Sequence, residues 1–190
     1  MRNLVYYIAA SLDGFIADTD GDFSAFPQDP ATLQALFTRY PETCPSHVRE
    51  ALGVTAPSRR FDAVIMGART HRPAIDVGLA DGAYPHLSQY VVTNTELPPS
   101  PAMERVCGDV ASFVADLKTQ PGMDIWLCGG ADLATQLVDQ IDEIQVKVNP
   151  IIMGGGTPLV HAVGRPRPMI LTEAERLPGG VLLNTYRPEV

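Results

Sequence analysis

Apolar residues along this chain gather into short runs, not long stripes, and the runs predict strands. Leu4 to Ala10, Ala63 to Gly67, Gln89 to Thr93, Asp124 to Cys128 and Ile141 to Val148 are brief and nearly continuous in apolar character. That is the pattern of a strand covered on both faces. Between them, Val110 to Lys118 and Ala131 to Gln140 place apolar residues at helical spacing. Strand and helix in alternation predict a largely parallel sheet. The end of the chain departs from this. Met169 to Leu177, Pro178-Gly179-Gly180 and Val181 to Tyr186 read as a hairpin with glycine in its turn. The expected fold class is α/β, with a mostly parallel central sheet, an antiparallel C-terminal hairpin and helices on both faces. Phe23 to Pro57 is weakly patterned and holds Pro27, Pro30, Pro41 and Pro45. One helix is expected there, over Ala31 to Phe37 behind Pro30, with loop elsewhere.

Composition narrows the class without changing the picture. The chain of 190 residues suits one domain spanning its whole length. At 45% hydrophobic and 19% charged residues it has the make-up of an ordinary soluble globular protein. No apolar run is long enough to span a membrane, and Met1 to Ile8 reads as a first strand, so a cytoplasmic location is expected. A net charge of −8 argues against nucleic acid and against an anionic membrane as partners. It leaves room for an anionic cofactor held by local groups. Cys44, Cys107 and Cys128 show no C-x-x-C spacing and are expected to be reduced thiols. The histidines are scattered, and Gly21 is misplaced for a calcium loop among Asp18, Asp20 and Asp22, so no metal site is expected.

Candidate chemistry lies where strands end. In Trp126-Leu127-Cys128-Gly129-Gly130-Ala131-Asp132-Leu133 a buried strand runs into two glycines and a helix begins. Missing side chains would let a diphosphate approach the backbone and the unpaired helical N–H groups. A tight turn that needs glycine for its backbone angles is the other reading. Val64-Ile65-Met66-Gly67-Ala68-Arg69-Thr70 repeats the pattern, with an Arg fork suited to phosphate and a hydroxyl beside it. Here the alternative is a solvent-facing Arg69 with Thr70 as helix cap. A third strand ends in Thr93-Asn94, which would contact ribose or adenine, or begin a turn. Three such ends suit one extended ligand lying across the carboxyl edge of the sheet. In Ala9-Ala10-Ser11-Leu12-Asp13-Gly14-Phe15-Ile16-Ala17, small residues precede an Asp-Gly turn. A flat ring could stack there, with Asp13 as the candidate catalytic carboxylate or as a structural turn residue.

In order and spacing, Ser11 to Ala17, Ile65 to Thr70, Trp126 to Ala131 and Val148-Asn149-Pro150-Ile151-Ile152-Met153-Gly154-Gly155-Gly156-Thr157-Pro158-Leu159 resemble the RibD C-terminal family. That family is the reductase domain of bacterial riboflavin biosynthesis and shares the dihydrofolate reductase fold. The resemblance implies a reductase that passes hydride from NADPH to a C=N or C=O of a small heterocyclic substrate, and a homodimer. A non-catalytic nucleotide-binding regulatory module on the same fold is the rival expectation. By the resemblance, Ala9, Ala10, Gly14, Phe15 and Ile16 border the nicotinamide. Gly67, Arg69 and Thr70 hold phosphate, Thr93 and Asn94 the adenosine side. Gly129, Gly130, Ala131, Asp132 and Leu133 take the diphosphate with Cys128 also at the cofactor, and Gly154 to Gly156 lie near the substrate pocket or shape the strand after it as a glycine bulge or turn. Many relatives carry Arg where this chain has Ala68. That Arg recognises the 2′-phosphate in dihydrofolate reductases, so NADH stays open beside NADPH, with Arg69, Arg60 or Arg72 as substitutes.

Overall fold

The computed structural model describes residues 1–189. In chain order its strands are β1 (Leu4–Ala10), β2 (Phe15–Ala17), β3 (Phe61–Gly67), β4 (Ser88–Val92), β5 (Met103–Val106) and β6 (Asp124–Gly129). They continue with β7 (Glu143–Val148), β8 (Thr157–Pro158), β9 (Met169–Arg176) and β10 (Leu182–Pro188). The helices are α1 (Pro30–Arg39), α2 (Ser46–Arg49), α3 (Ala68–Asp76), α4 (Val110–Thr119) and α5 (Ala131–Gln136). Eight strands form one sheet in the order β5-β4-β3-β6-β1-β7-β10-β9, and β2 pairs with β8 apart from it. The first six of those eight run parallel, and β10 and β9 close the sheet antiparallel. The α/β class and the C-terminal hairpin are as the sequence pattern predicts.

Apolar burial on both faces explains the continuous runs. In β1, Leu4 and Tyr6 join the helices α4 and α5 in one core, with Val114, Leu133 and Leu137. Val5 and Tyr7 join the other face, with Tyr40, Phe61, Trp126 and Leu183. That second layer is rich in edge-to-face aromatic contacts, Tyr7 to Tyr40 at 5.2 Å and Tyr84 to Trp126 at 4.9 Å between centroids. The Trp126 indole N–H donates to the Tyr7 carbonyl at 3.0 Å, so even its polar atom is satisfied.

Helix starts fall into two kinds. The Asp29 carboxylate accepts from the Thr32 N–H at 2.7 Å and caps α1, and Asp109 accepts from Ser112 at 3.1 Å and caps α4. By contrast α3 and α5 begin at Gly67 and Gly130 with no side-chain cap.

Several elements differ from the sequence pattern, each for a local reason. α3 buries only His71 and Ala74 and contains Pro73, so no run of buried apolar residues announces it. β5 is a four-residue edge strand with one buried side chain. α5 stops at Gln136, because the Leu137 N–H folds back onto the last carbonyls and the Gln140 N–H bonds Leu137 at 2.8 Å. Within Phe23 to Pro57, the expected loop is partly α2 and a 3-10 turn over Pro41–Thr43. The fully buried Glu42 in that turn accepts from the backbone N–H groups of Arg59, Arg60 and Phe61 at 3.1, 2.8 and 2.8 Å. One carboxylate thereby fastens the proline-rich segment to the start of β3.

Candidate active site

β4, β3, β6, β1 and β7 lie side by side and end at one edge. The register sets Met66 of β3 against Gly129 of β6. A side chain placed on Gly67 would stand 3.9 Å from both the Gly129 carbonyl and the Gly130 nitrogen. Gly129 has φ of +127°, a conformation that L side chains resist. The Gly129–Gly130 peptide is cis. The Thr70 hydroxyl faces the same turn, 3.6 Å from where a Gly130 Cβ would sit. Gly67, Thr70, Gly129 and Gly130 therefore share one bare patch onto which the uncapped first turns of α3 and α5 both open. Orphan N–H groups over a surface without side chains favour an acceptor-rich, anionic group. A dinucleotide's phosphates meet that requirement, and the patch fits them.

Around the patch the candidates divide by what their side chains do. Ala131 and Leu133 are buried in the core, at 1% and 3% exposure, and present only backbone to the edge. Asp132 points outward into an ion pair with Arg69 and also meets His161 Nε2 at 2.9 Å. With Arg69 and Asp132 side chains 79% and 60% exposed, that pair is worth at most about 1 kcal/mol. Arg69 is thus free to exchange a carboxylate for a phosphate at small cost. Burial pushes the Cys128 thiol up to about 12, so it shapes the wall as a neutral group. One strand further, the Thr93 hydroxyl accepts from the Thr95 N–H at 3.1 Å in a turn, and Asn94 is exposed. Of the three candidate arginines only Arg69 is at this edge unoccupied by its own helix. Arg60 opens β3 at the opposite end, held by Asp124 at 3.2 Å and Glu143 at 2.8 Å, and Arg72 is turned to Asp76 at 2.9 Å.

On the other side of β6 lie Ala9 and Ala10, at the end of β1, followed by the Asp13-Gly14 turn. The Ser11 hydroxyl accepts from the Phe15 N–H at 3.0 Å, and Gly14 takes φ of +85°, so the loop is tight and half-buries Phe15 and Ile16. Asp13 closes it against the chain after β7. Its carboxylate accepts from the Met153 and Gly154 N–H groups at 3.0 and 2.7 Å and from the Ser11 hydroxyl at 2.6 Å. These bonds, Met153 foremost, hold the carboxyl down to about 2. Asp13 is ionised at neutral pH with both oxygens engaged. Such a group positions a loop and has no proton to give. Gly156 is fixed by another contact: a Cβ there would lie 2.1 Å from the Ala17 carbonyl. The glycine run therefore lets β8 lie against β2.

Two features have no counterpart in the sequence reading. Leu12 and Ile152 are exposed at 61% and 77%, and the Leu12 N–H bonds the neighbouring Ile151 carbonyl at 2.8 Å, so an apolar lip stands beside the Asp13 clamp. Lys147, paired with Ala9 in the β1–β7 register, stands at the same edge. Its signal in the sequence is a lone lysine at an inward-facing strand position, which alternation alone does not distinguish from an outward one.

Comparisons with known proteins bear out the fold. The sequence profile of the RibD C-terminal domain matches residues 2–183. Protein YwjB of Bacillus subtilis (strain 168) is 27% identical over 191 residues, covering 98% of each chain. A putative riboflavin biosynthesis protein from Shewanella sp. PV-4 superposes with TM-score 0.71 at 24% identity, covering 100% of both chains. Dihydrofolate reductase from Enterococcus faecalis, complexed with NADP(H) and RAB-propyl, gives TM-score 0.66 at 12% identity, with 99% of this chain and 97% of that one covered.

Proposed function

Because this chain belongs to the RibD C-terminal domain family, we propose that it is an NADPH-dependent reductase acting on a C=N or C=O of a small heterocycle. The observation that carries the reading is the order of groups along the carboxyl edge. From β4 to β1 come a polar turn (Thr93, Asn94), a cation and hydroxyl (Arg69, Thr70), a bare glycine patch (Gly67, Gly129, Gly130) and two small residues (Ala9, Ala10). An adenosine, a diphosphate and a flat ring occur in that order in one extended dinucleotide. Bound there, the reduced nicotinamide supplies the hydride, and the protein supplies position and exclusion of water. Ala9, Ala10 and Gly14 leave room for the ring, and the Leu12–Ile152 lip gives an apolar cover for a planar substrate.

Asp13 acts in this scheme as a positioning residue, holding the Met153–Gly154 loop where the substrate must enter. With Ala68 at the first position of α3, phosphate selectivity rests on Arg69, and NADH is a weaker alternative donor. The reading extends to a cytoplasmic homodimer joined through the β9–β10 hairpin, where Ile170, Leu171 and Leu182 are exposed at 51%, 52% and 42%. A monomeric mass by light scattering at micromolar concentration would remove the dimer.

The deciding experiment is titration with NADPH and with NADH, following the fluorescence of Trp126, which is the sole tryptophan and lies two residues before Cys128-Gly129-bearing strand end. Micromolar quenching by NADPH, with NADH weaker, is expected. Absence of binding by either at millimolar concentration overturns the reductase reading. Tight binding with no oxidation of NADPH by any heterocycle would favour the regulatory module instead.

A further inference from the structure

Hydride transfer to a heterocycle needs a proton donor as well. Adding hydride to a C=N carbon requires a proton at the nitrogen, and Asp13 is ionised and fully engaged. The chain has only two lysines, Lys118 and Lys147. Lys118 is satisfied, its ammonium on Asp142 at 2.6 Å and on the Gln140 carbonyl at 3.0 Å. Lys147 is not. It makes no ion pair and no side-chain hydrogen bond among the described residues, and its Nζ lies 3.8 Å from the centroid of the Tyr7 ring. Parallel register partners share a face, so Lys147 leaves the sheet beside Ala9, and beside Tyr7 one rung deeper.

The surroundings fit a group that must both hold and release a proton. On β1 the Tyr7 ring faces the ammonium, and the Tyr7 hydroxyl is buried without a partner and pushed up by burial. On β6 the facing group is Cys128, a neutral thiol. On β10 the register partner is Leu183, which is apolar. Along β7 the next inward side chain is Gln145, and Glu143 beyond it is occupied by Arg60 and Arg187. No carboxylate stands within 4.0 Å of Nζ among the described residues. An ammonium carried on the rung of Ala9 and resting on the Tyr7 ring, with its donors open, is what an acceptor nitrogen at this edge would meet.

We propose that Lys147 is the proton donor of the reaction, a role that rests on the reductase reading. The substrate carbon receives hydride from the reduced nicotinamide, which is thereby oxidised. The C=N π pair moves onto nitrogen and takes a proton from Lys147 Nζ, forming the N–H bond as the Nζ–H bond breaks. The neutral amine regains its proton from solvent. Burial lowers the Lys147 ammonium to about 8, close enough to neutrality for release and return.

With two lysines, the test needs no crowded spectrum. Lysine labelled with 13C at Cε gives two resonances, and Lys147→Arg removes one and assigns it. In the wild-type protein the Lys147 resonance is expected to titrate near 8, against 10.5 for an ordinary lysine. Its titration should fall further with NADP+ than with NADPH, because the oxidised ring is cationic. Trp126 quenching, run in parallel, separates the two ideas. If NADPH quenches but the Lys147 resonance is unmoved by either cofactor form, the lysine proposal fails and the cofactor site stands. If neither cofactor binds, both fail. For whichever heterocycle the wild type reduces, single-turnover oxidation of bound NADPH in Lys147→Met should slow at least ~100-fold with NADPH affinity kept. An unchanged rate overturns the proposal, and so does a fall in rate above pH 8 that survives in Lys147→Met.

Discussion

At the amino end of the sheet Arg60 is held by Asp124, Glu143 and the Tyr40 hydroxyl, and Glu143 also takes Arg187 at 3.0 Å. Glu42 satisfies three backbone N–H groups beside them. At the carboxyl edge of the same strands the chemistry is left open among the described residues: two helices start on glycine without side-chain caps, Lys147 has no counter-ion, and Arg69 meets only an exposed Asp132. Both ends are built from the same residue types. They differ in whether the protein itself completes each group's hydrogen bonds. A completed end contributes stability, and an incomplete one contributes affinity for whatever completes it.

Substitutions at the two ends should therefore separate cleanly. The largest effect is expected from Glu42→Ala, which leaves a buried Phe61 N–H and the part-buried N–H groups of Arg59 and Arg60 without their acceptor. Denaturant unfolding should show a loss of about 3–5 kcal/mol, while NADPH affinity, measured on the folded fraction, stays within error. A comparable loss of cofactor binding with intact stability would erase the contrast. Gly67→Asp should do the reverse, because its φ of −77° and a Cβ no closer than 3.9 Å to its neighbours leave room for a side chain. Placing a carboxylate on the bare patch is expected to weaken NADPH at least ~100-fold, or about 2.7 kcal/mol, with the circular dichroism of the fold preserved; unchanged binding would remove the assigned diphosphate patch.

Lys147→Met should change stability with a pH dependence of defined sign. The folded-state value of about 8 lies below the ordinary 10.5, so the unfolded chain binds more protons between those limits. Stability of the wild type should accordingly rise with pH across that window, and below 8 the full cost of the buried charge is present. Met at this position should stabilise the protein at pH 7 by about 1–3 kcal/mol, with the gap closing by pH 11 in thermal melts. Last comes Asp132→Asn. It frees Arg69 from an exposed pair and should tighten NADPH a few-fold, no more than about 1 kcal/mol, by the same fluorescence titration.

The strand ends Gly67 and Gly129-Gly130 were legible because glycine after an apolar run leaves few structural options. The hairpin was legible for the same reason at Pro178-Gly179-Gly180. α3 was not, since Arg69, Thr70 and Arg72 bury little and the helix relies on β3 and β4 for position. Nor was the role of Asp13. An Asp-Gly turn is visible in sequence, but its partners Met153 and Gly154 lie 140 and 141 residues away, and only the fold brings them into reach. Glu42 and Lys147 were invisible for a shared reason. Each is a single ionisable residue turned inward, and local pattern carries no record of which way it turns.

The placement of β1 between β6 and β7 has a consequence for biosynthesis. β1 ends at Ala10 and its first partner begins at Asp124, so the first strand made waits for 113 intervening residues. At the usual pace of translation that wait is roughly 6–23 s. Throughout it, the apolar Leu4-Val5-Tyr6-Tyr7 run has no neighbour to pair with. The ribosome-bound intermediate is thus a chain with an unfinished centre, and the last third of the protein determines when its first strand becomes safe from aggregation.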